Sequence, residues 1–201
     1  MMKKGLFSMG INDRSYIEES KSMPKDMLPV GNKPLGKGGV EESIAAGLSE
    51  VGFVTGRGKR AIGDHFDLNY ELEREIAGTN KEEYLTSIRE VMDKGQFSFT
   101  RQTSMKGLGD AILNGRRLIG DEPFGVVLSD DLCLTEAGED GVLTQMVKLF
   151  KQFRCSIVAI QEVPEDQVSK FGVIAGEHIK DNLYQVTDMV ATPSAEDAPS
   201  N

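Results

Sequence analysis

The sequence has little cysteine, no long apolar run and no surplus of basic charge. Its two cysteines, Cys133 and Cys155, have no metal-ligand spacing, which argues against a cysteine-bound metal centre. Each stands in or beside an apolar stretch, which predicts two reduced thiols in the core of a cytoplasmic protein. No apolar run approaches the ~20 residues that span a bilayer, so no membrane partner is expected. Lys3 and Lys4 give the start the charge of a secretory leader. The polar Asn12, Asp13, Arg14 and Ser15 arrive too early for its apolar region, so no leader is expected. The formal net charge is −9, so no general basic field draws in a nucleic-acid backbone. A small nucleotide needs only a local positive pocket and stays open as a ligand. Internal repeats are absent. So is a Gly-x-Gly-x-x-Gly stretch after the first strand, which sets aside an NAD-binding Rossmann enzyme.

What is present suits one globular domain over residues 1–201, with 39% hydrophobic and 27% charged residues. Residues 5–7 read as a first strand, and residues 8–39, rich in Gly, Pro, Lys and Ser, as a long loop. A helix is expected over residues 40–48, a buried strand over 51–55, and helices over 60–66, 68–76 and 81–92. A strand over 97–101 and a helix over 109–118 follow. The continuous apolar run 124–128 reads as a central parallel strand. A helix over 141–153 and another buried strand over 155–160 complete the alternation. From residue 172 onward two antiparallel strands are expected. Alternation of this kind predicts an α/β fold, a Rossmann-like and mainly parallel sheet with crossover helices and antiparallel additions after residue 170. Ligands of such sheets bind beyond the carboxyl ends of the strands. That gathers residues 8–13, 55–58, 102–109 and 129–132 around one candidate cleft.

Three stretches carry chemistry. Asp130 and Asp131 follow the buried run 124–128, where a carboxylate either holds Mg²⁺ through hard oxygens or caps a turn. Gln102 ends a strand, and Gly107 lies in a turn that opens a helix. An amide and a close-lying backbone there suit the edge of a pyrimidine, although an ordinary strand-to-helix turn has the same composition. Lys21 and Lys25 lie in a loop whose freedom Pro24 and Pro29 limit, so a lysine is presented at a fixed place or is merely solvated.

Together the phrases Met23-Pro24-Lys25-Asp26-Met27-Leu28-Pro29-Val30, Gly52-Phe53-Val54-Thr55-Gly56-Arg57-Gly58-Lys59, Asp64-His65-Phe66-Asp67, Lys106-Gly107-Leu108-Gly109 and Gly120-Asp121-Glu122-Pro123-Phe124 carry a resemblance. Glu162-Val163-Pro164 and Phe171-Gly172-Val173-Ile174 extend it over nearly the whole chain. The chain resembles the bacterial UTP–glucose-1-phosphate uridylyltransferases, sugar-phosphate nucleotidyltransferases of the glycosyltransferase-A-like fold. The resemblance implies attack of glucose-1-phosphate on the α-phosphorus of UTP, with Mg²⁺ as cofactor. It implies that Lys25 and Arg14 act on the phosphates, that Gly10, Gln102 and Gly107 bind the nucleotide, that Gly172 contacts the sugar and that Asp130 holds the metal. For the full-length family it implies a homo-oligomer.

The departures from the family pattern gather at the same places. The glycine-rich first loop reads Ser8-Met9-Gly10-Ile11-Asn12-Asp13-Arg14, with an acid where a threonine is expected. Leu35-Gly36-Lys37-Gly38 puts two helix-poor glycines at an expected helix start. Asp110 replaces the histidine that usually follows Gly-Leu-Gly, and Ala191-Thr192-Pro193 replaces Glu-Lys-Pro, whose lysine would meet the sugar phosphate. The resemblance also implies a later region, with a second metal-binding aspartate, that is not in this sequence. These changes lead to the expectation of an impaired catalyst, with a non-catalytic nucleotide-sugar-fold binding protein as the alternative.

Overall fold

The computed structural model describes residues 2–9 and 23–201, with only the backbone at residues 87 and 88. It falls into two packed units, Met1–Ile157 and Val158–Asn201. In the first, the chain runs through β1 (Lys4–Met9), a 3₁₀ turn (Lys25–Met27), the short strands β2 (Pro29–Val30) and β3 (Lys33–Pro34), and α1 (Leu35–Ala45). It continues through β4 (Glu50–Thr55), α2 (Arg60–Phe66), α3 (Tyr70–Ile76), α4 (Glu82–Lys94) and β5 (Gln96–Arg101). Helix α5 (Leu108–Ile119), β6 (Phe124–Val127) and α6 (Val142–Phe153) follow.

Four strands form one parallel sheet in the order β5-β4-β1-β6, with Phe7 beside Phe53 and Phe53 beside Phe99. Strands β1 and β4 are buried on both faces, so apolar residues such as Leu6 and Phe7, or Phe53 and Val54, follow one another without alternation. Phe7, Met9, Val51 and Phe53 pack with Val40, Ile62, Phe66 and Val91 of α1, α2 and α4. On the opposite face Leu6 and Val54 pack with Ala111 and Ile119 of α5. Leu143 and Val147 of α6 close over Leu48 and Val127. Phe53 meets the rings of Phe7, Phe66, Phe97 and Phe99 at 5.0–6.0 Å. Truncating so buried a ring typically costs about 3–5 kcal/mol. The α/β architecture expected from the sequence is therefore present.

Four details differ from expectation. First, β6 is an edge strand among the described residues. A continuous apolar run does not encode a partner on two edges, and here Val127 packs against Leu143 and Val147 of α6 while Val126 is exposed. Second, residues 155–160 form no strand among the described residues, and Val158 and Ile160 remain about half exposed. An apolar run becomes a strand only where another strand offers hydrogen bonds. Third, α1 begins at Leu35 inside the expected loop and contains the glycines at 36, 38 and 39. Helix propensity gives way to packing here, because a Cβ on Gly36 would lie 2.9 Å from Met9 Cε and 3.1 Å from the Asp26 carbonyl oxygen. Fourth, Cys133 and Cys155 are free thiols, as expected, but exposed rather than in the core. One lies in the irregular segment after β6, the other in the run 155–160 that is not a strand.

The second unit holds a 3₁₀ turn (Glu165–Lys170) and the antiparallel pair β7 (Gly172–Lys180) and β8 (Leu183–Ala191). Asp181 turns the hairpin with φ 51°, and its carbonyl meets His178 Nε2 at 2.8 Å. The Val163 amide donates to the Asn201 carbonyl at 3.0 Å, and Ser200 Oγ donates to the Ile174 carbonyl at 2.7 Å.

Candidate functional site

In a parallel sheet every carboxyl end lies on one side, and loops leaving that side meet over it. At the β6 end, Lys25 Nζ lies 2.7 Å from Asp130 Oδ2. Its neighbour Asp26 accepts a hydrogen bond from Ser129 Oγ, the residue before Asp130. Two adjacent residues of the 3₁₀ turn thus bind two adjacent residues after β6. Asp26 is 0% exposed, and its second oxygen lies 3.6 Å from Lys59 Nζ, so one buried carboxylate joins three segments. Asp131 stands beside this pair. Its carboxyl is pushed above the usual range by partial burial and by the Asp130 charge, which Lys25 opposes.

At the β5 end, Gln102 is buried, with only 3% of its surface exposed. Its amide nitrogen donates to the Gly107 carbonyl at 3.2 Å and to Asp110 Oδ2 at 2.6 Å. Its amide oxygen is buried and has no hydrogen-bond partner among the described residues. A buried orphan acceptor costs about 1–3 kcal/mol, so the site is poised for a donor. Gly107 has φ 95°, a backbone that L side chains rarely adopt, and it precedes the first turn of α5. Asn114 Nδ2 donates to Asp110 Oδ2 at 3.1 Å and holds that carboxylate toward Gln102. Three strand spacings, about 14 Å, separate β5 from β6 across the sheet.

The sequence-derived candidates thus form pairs: Lys25 with Asp130, and Gln102 with Gly107. Gly172 lies in the second unit, opposite Ala191 at the open end of the hairpin, and the Thr192 amide donates to the Phe171 carbonyl at 3.0 Å. The position implied for the sugar contact and the position of the expected lysine are therefore neighbours. Gly10 and Arg14, with Asp13, lie outside the described residues. Sequence reasoning missed Asp26, Ser129 and Lys59 as a joined set, although Asp26 and Lys59 stand in quoted phrases and Ser129 directly precedes Asp130. It registered Asp110 as a lost histidine, not as the partner of Gln102.

Among the described residues no group of three or more His, Cys, Asp or Glu side chains gathers as a ready metal cage. Asp130 is about half exposed at the strand end and offers hard carboxylate oxygen beside Asp131. That donor set fits Mg²⁺, which takes one or two carboxylates and completes its shell with water and substrate phosphate.

Comparison with known proteins extends this picture. The nucleotidyl transferase family model matches residues 20–201. A UTP–glucose-1-phosphate uridylyltransferase from Pseudomonas aeruginosa is 59% identical over 201 residues, covering 100% of this chain and 72% of that protein. A putative enzyme of the same name from Methanocaldococcus jannaschii is 38% identical over 201 residues and is covered to 69%. The crystal structure of an apo UDP-glucose pyrophosphorylase superposes with a TM-score of 0.95 at 49% identity, covering 100% of this chain and 73% of that one. A UDP-glucose pyrophosphorylase complexed with UDP-glucose superposes at 0.91 with 47% identity, covering 100% of this chain and 73% of that chain.

Proposed function

This chain belongs to the nucleotidyl transferase family, among the UTP–glucose-1-phosphate uridylyltransferases, and from that premise we propose how its own residues serve the transfer of uridylyl from UTP to glucose-1-phosphate. In that reaction a phosphate oxygen of the sugar forms a bond to the α-phosphorus of UTP, and the bond from that phosphorus to the pyrophosphate oxygen breaks. The products are UDP-glucose and pyrophosphate. Catalysis of this kind is mostly positioning and charge stabilisation.

Lys25 presents its ammonium to the phosphates, held at the correct place by the 3₁₀ turn and the buried Asp26. Asp130 holds Mg²⁺, which when bound offsets the charge of the phosphate oxygens. Gln102 reads the uracil: its unpartnered amide oxygen accepts the ring N–H, while the Gly107 backbone permits close approach. Gly172 contacts the sugar, Gly10 binds the nucleotide, and Arg14 acts with Lys25 on the phosphates. We place the reaction in the cytoplasm, with UTP and glucose-1-phosphate as partners.

The observation that carries this reading is the 2.7 Å pairing of Lys25 with Asp130 at a parallel-strand end, a phosphate-binding cation beside a metal-binding carboxylate. The test is release of pyrophosphate from UTP, glucose-1-phosphate and Mg²⁺ by the purified chain, with Lys25→Ala as control. Release that depends on both substrates and falls with Lys25→Ala supports transfer. A second reading, nucleotide-sugar binding without turnover, draws on Ala191 and Thr192 at the sugar end. Tight UDP-glucose binding with no pyrophosphate release selects it.

A further inference from the structure

A cavity of about 560 Å³ opens beside the carboxyl ends of β4 and β5, lined by Arg57, Arg60, Asp64, Phe99 and Arg101 and floored by the loop after Thr55. We propose that this cavity is a second ligand site, for a nucleoside phosphate, separate from the place where Gln102 reads the substrate base.

Separation follows from the strand alternation. Side chains of consecutive strand residues point to opposite faces. Gln102 reaches the first turn of α5 through Asp110. Arg101 is one residue earlier and shares its face with Phe99, on the side that carries α2. Phe99 stacks on Phe53 at 5.0 Å and 16°, and Phe53 stacks on Phe66 of α2 at 5.1 Å. The cavity therefore belongs to the α2 face and the base-reading pair to the α5 face.

The ligand class follows from the lining. Lys59 also borders the cavity, but its ammonium lies 3.6 Å from the buried Asp26. Arg57, Arg60 and Arg101 remain, and among the described residues no carboxylate forms an ion pair with any of them. Asp64 is the one acid of the lining. Three unneutralised guanidinium groups around one hollow, in a chain of net charge −9, call for an anion, and guanidinium forks match phosphate oxygens. Phe99 is 41% exposed, with one ring face committed to Phe53 and the rest turned to the cavity. A planar base extends that stack, whereas inorganic phosphate leaves it in water. The volume lies within the range of small-molecule pockets.

ADP is a suitable probe, because its base is not the one the uridylyl site is read to take. Equilibrium dialysis of the full chain with ADP, alone and with saturating UDP-glucose, is expected to give one ADP site that UDP-glucose does not empty. The double substitution Arg57→Ala/Arg101→Ala, at two exposed positions, should weaken ADP by roughly tenfold or more and leave UDP-glucose affinity within about twofold. Gln102→Leu should do the reverse, which keeps the two sites distinguishable if the substrate reading fails. The proposal is overturned if ADP does not bind, if UDP-glucose displaces it, if the double substitution leaves ADP affinity unchanged, or if pyrophosphate binds as tightly as ADP.

Discussion

Ser129 donates its hydroxyl to the carboxylate of Asp26, and that bond, beside the Lys25–Asp130 pair, ties the loop carrying Asp130 to the turn carrying Lys25. The two site residues thus stand beside a buried bond; the Lys25 side chain is itself nearly buried, whereas that of Asp130 is about half exposed. Asp26 also faces Lys59, whose side chain is 8% exposed. Asp26→Ala leaves a buried ammonium without its carboxylate and a buried hydroxyl without an acceptor. Loss of one partner from such a pair costs roughly 3–5 kcal/mol. Urea denaturation of the variant should show a shift of that order, and an unchanged midpoint would mean that the pair is not buried in solution.

Asp130 and Asp131 make different predictions although they are adjacent. Asp130→Asn removes the carboxylate at the strand end and should lower UDP-glucose formation by on the order of 100-fold or more, the scale of losing one charge-stabilising group. Asp131→Asn should leave turnover within about threefold, since it is Asp130 that pairs with Lys25 at the strand end. Steady-state rates over a Mg²⁺ series decide the matter. The reverse order of effects would transfer the metal role to Asp131.

Thr192 occupies the position of the family's expected sugar-phosphate lysine, and it does so with φ 44°. A β-branched residue is poorly suited to that backbone, so lysine is no worse a fit there. Thr192→Lys should raise kcat/KM for glucose-1-phosphate by roughly 30- to 1,000-fold, from about 2–4 kcal/mol of added transition-state stabilisation. KM for UTP should change little. Equal kcat/KM in the two chains would return Thr192 to the status of a loop residue.

His65 offers a test by pH. Burial, and then the nearby Lys37 charge, lower its pKa from the ordinary 6.5. The unfolded chain therefore binds the proton more readily than the folded one. The stability that His65 contributes is present above pH 6.5 and is lost as pH falls through its lowered folded-state value. His65→Gln should flatten the decline in unfolding free energy below pH 6.5 relative to the parent, measured by urea titration at a series of pH values. A parallel decline in both chains would remove His65 from the account.

The strands of the parallel sheet and most helices were legible because period and burial agree in them, whereas the short β2 and β3 lie inside the expected loop. Phe7, Phe53 and Val54 read as buried and are buried, and residues 60–66 read as a helix and form α2. What escaped was decided by neighbours distant in sequence. Whether residues 155–160 form a strand depends on a pairing partner, which no local pattern encodes. Gly36 sits in a helix because Met9 and Asp26 press against it. At the site, Lys25, Gln102, Gly107 and Asp130 were visible as chemistry at strand ends. Asp26, Ser129 and Asp110 were not, because a buried acid is recognised by its partners, and those lie 103 residues away for Asp26 and 8 for Asp110.

The pairing of Gly172 with Ala191 makes the β7–β8 hairpin a ruler. A register slip of one residue turns every side chain of a strand to the other face. An insertion or deletion near residues 172–174 or 189–191 would thus move Thr192 off its place beside Phe171. The ladder already shifts register between Ala175 and Gly176 and again between His178 and Lys180, so the far half of the hairpin tolerates irregularity without disturbing its open end. Length variation among relatives, and any tag or label inserted by design, should accordingly be accommodated at the turn around Asp181 and rejected at the opposite end.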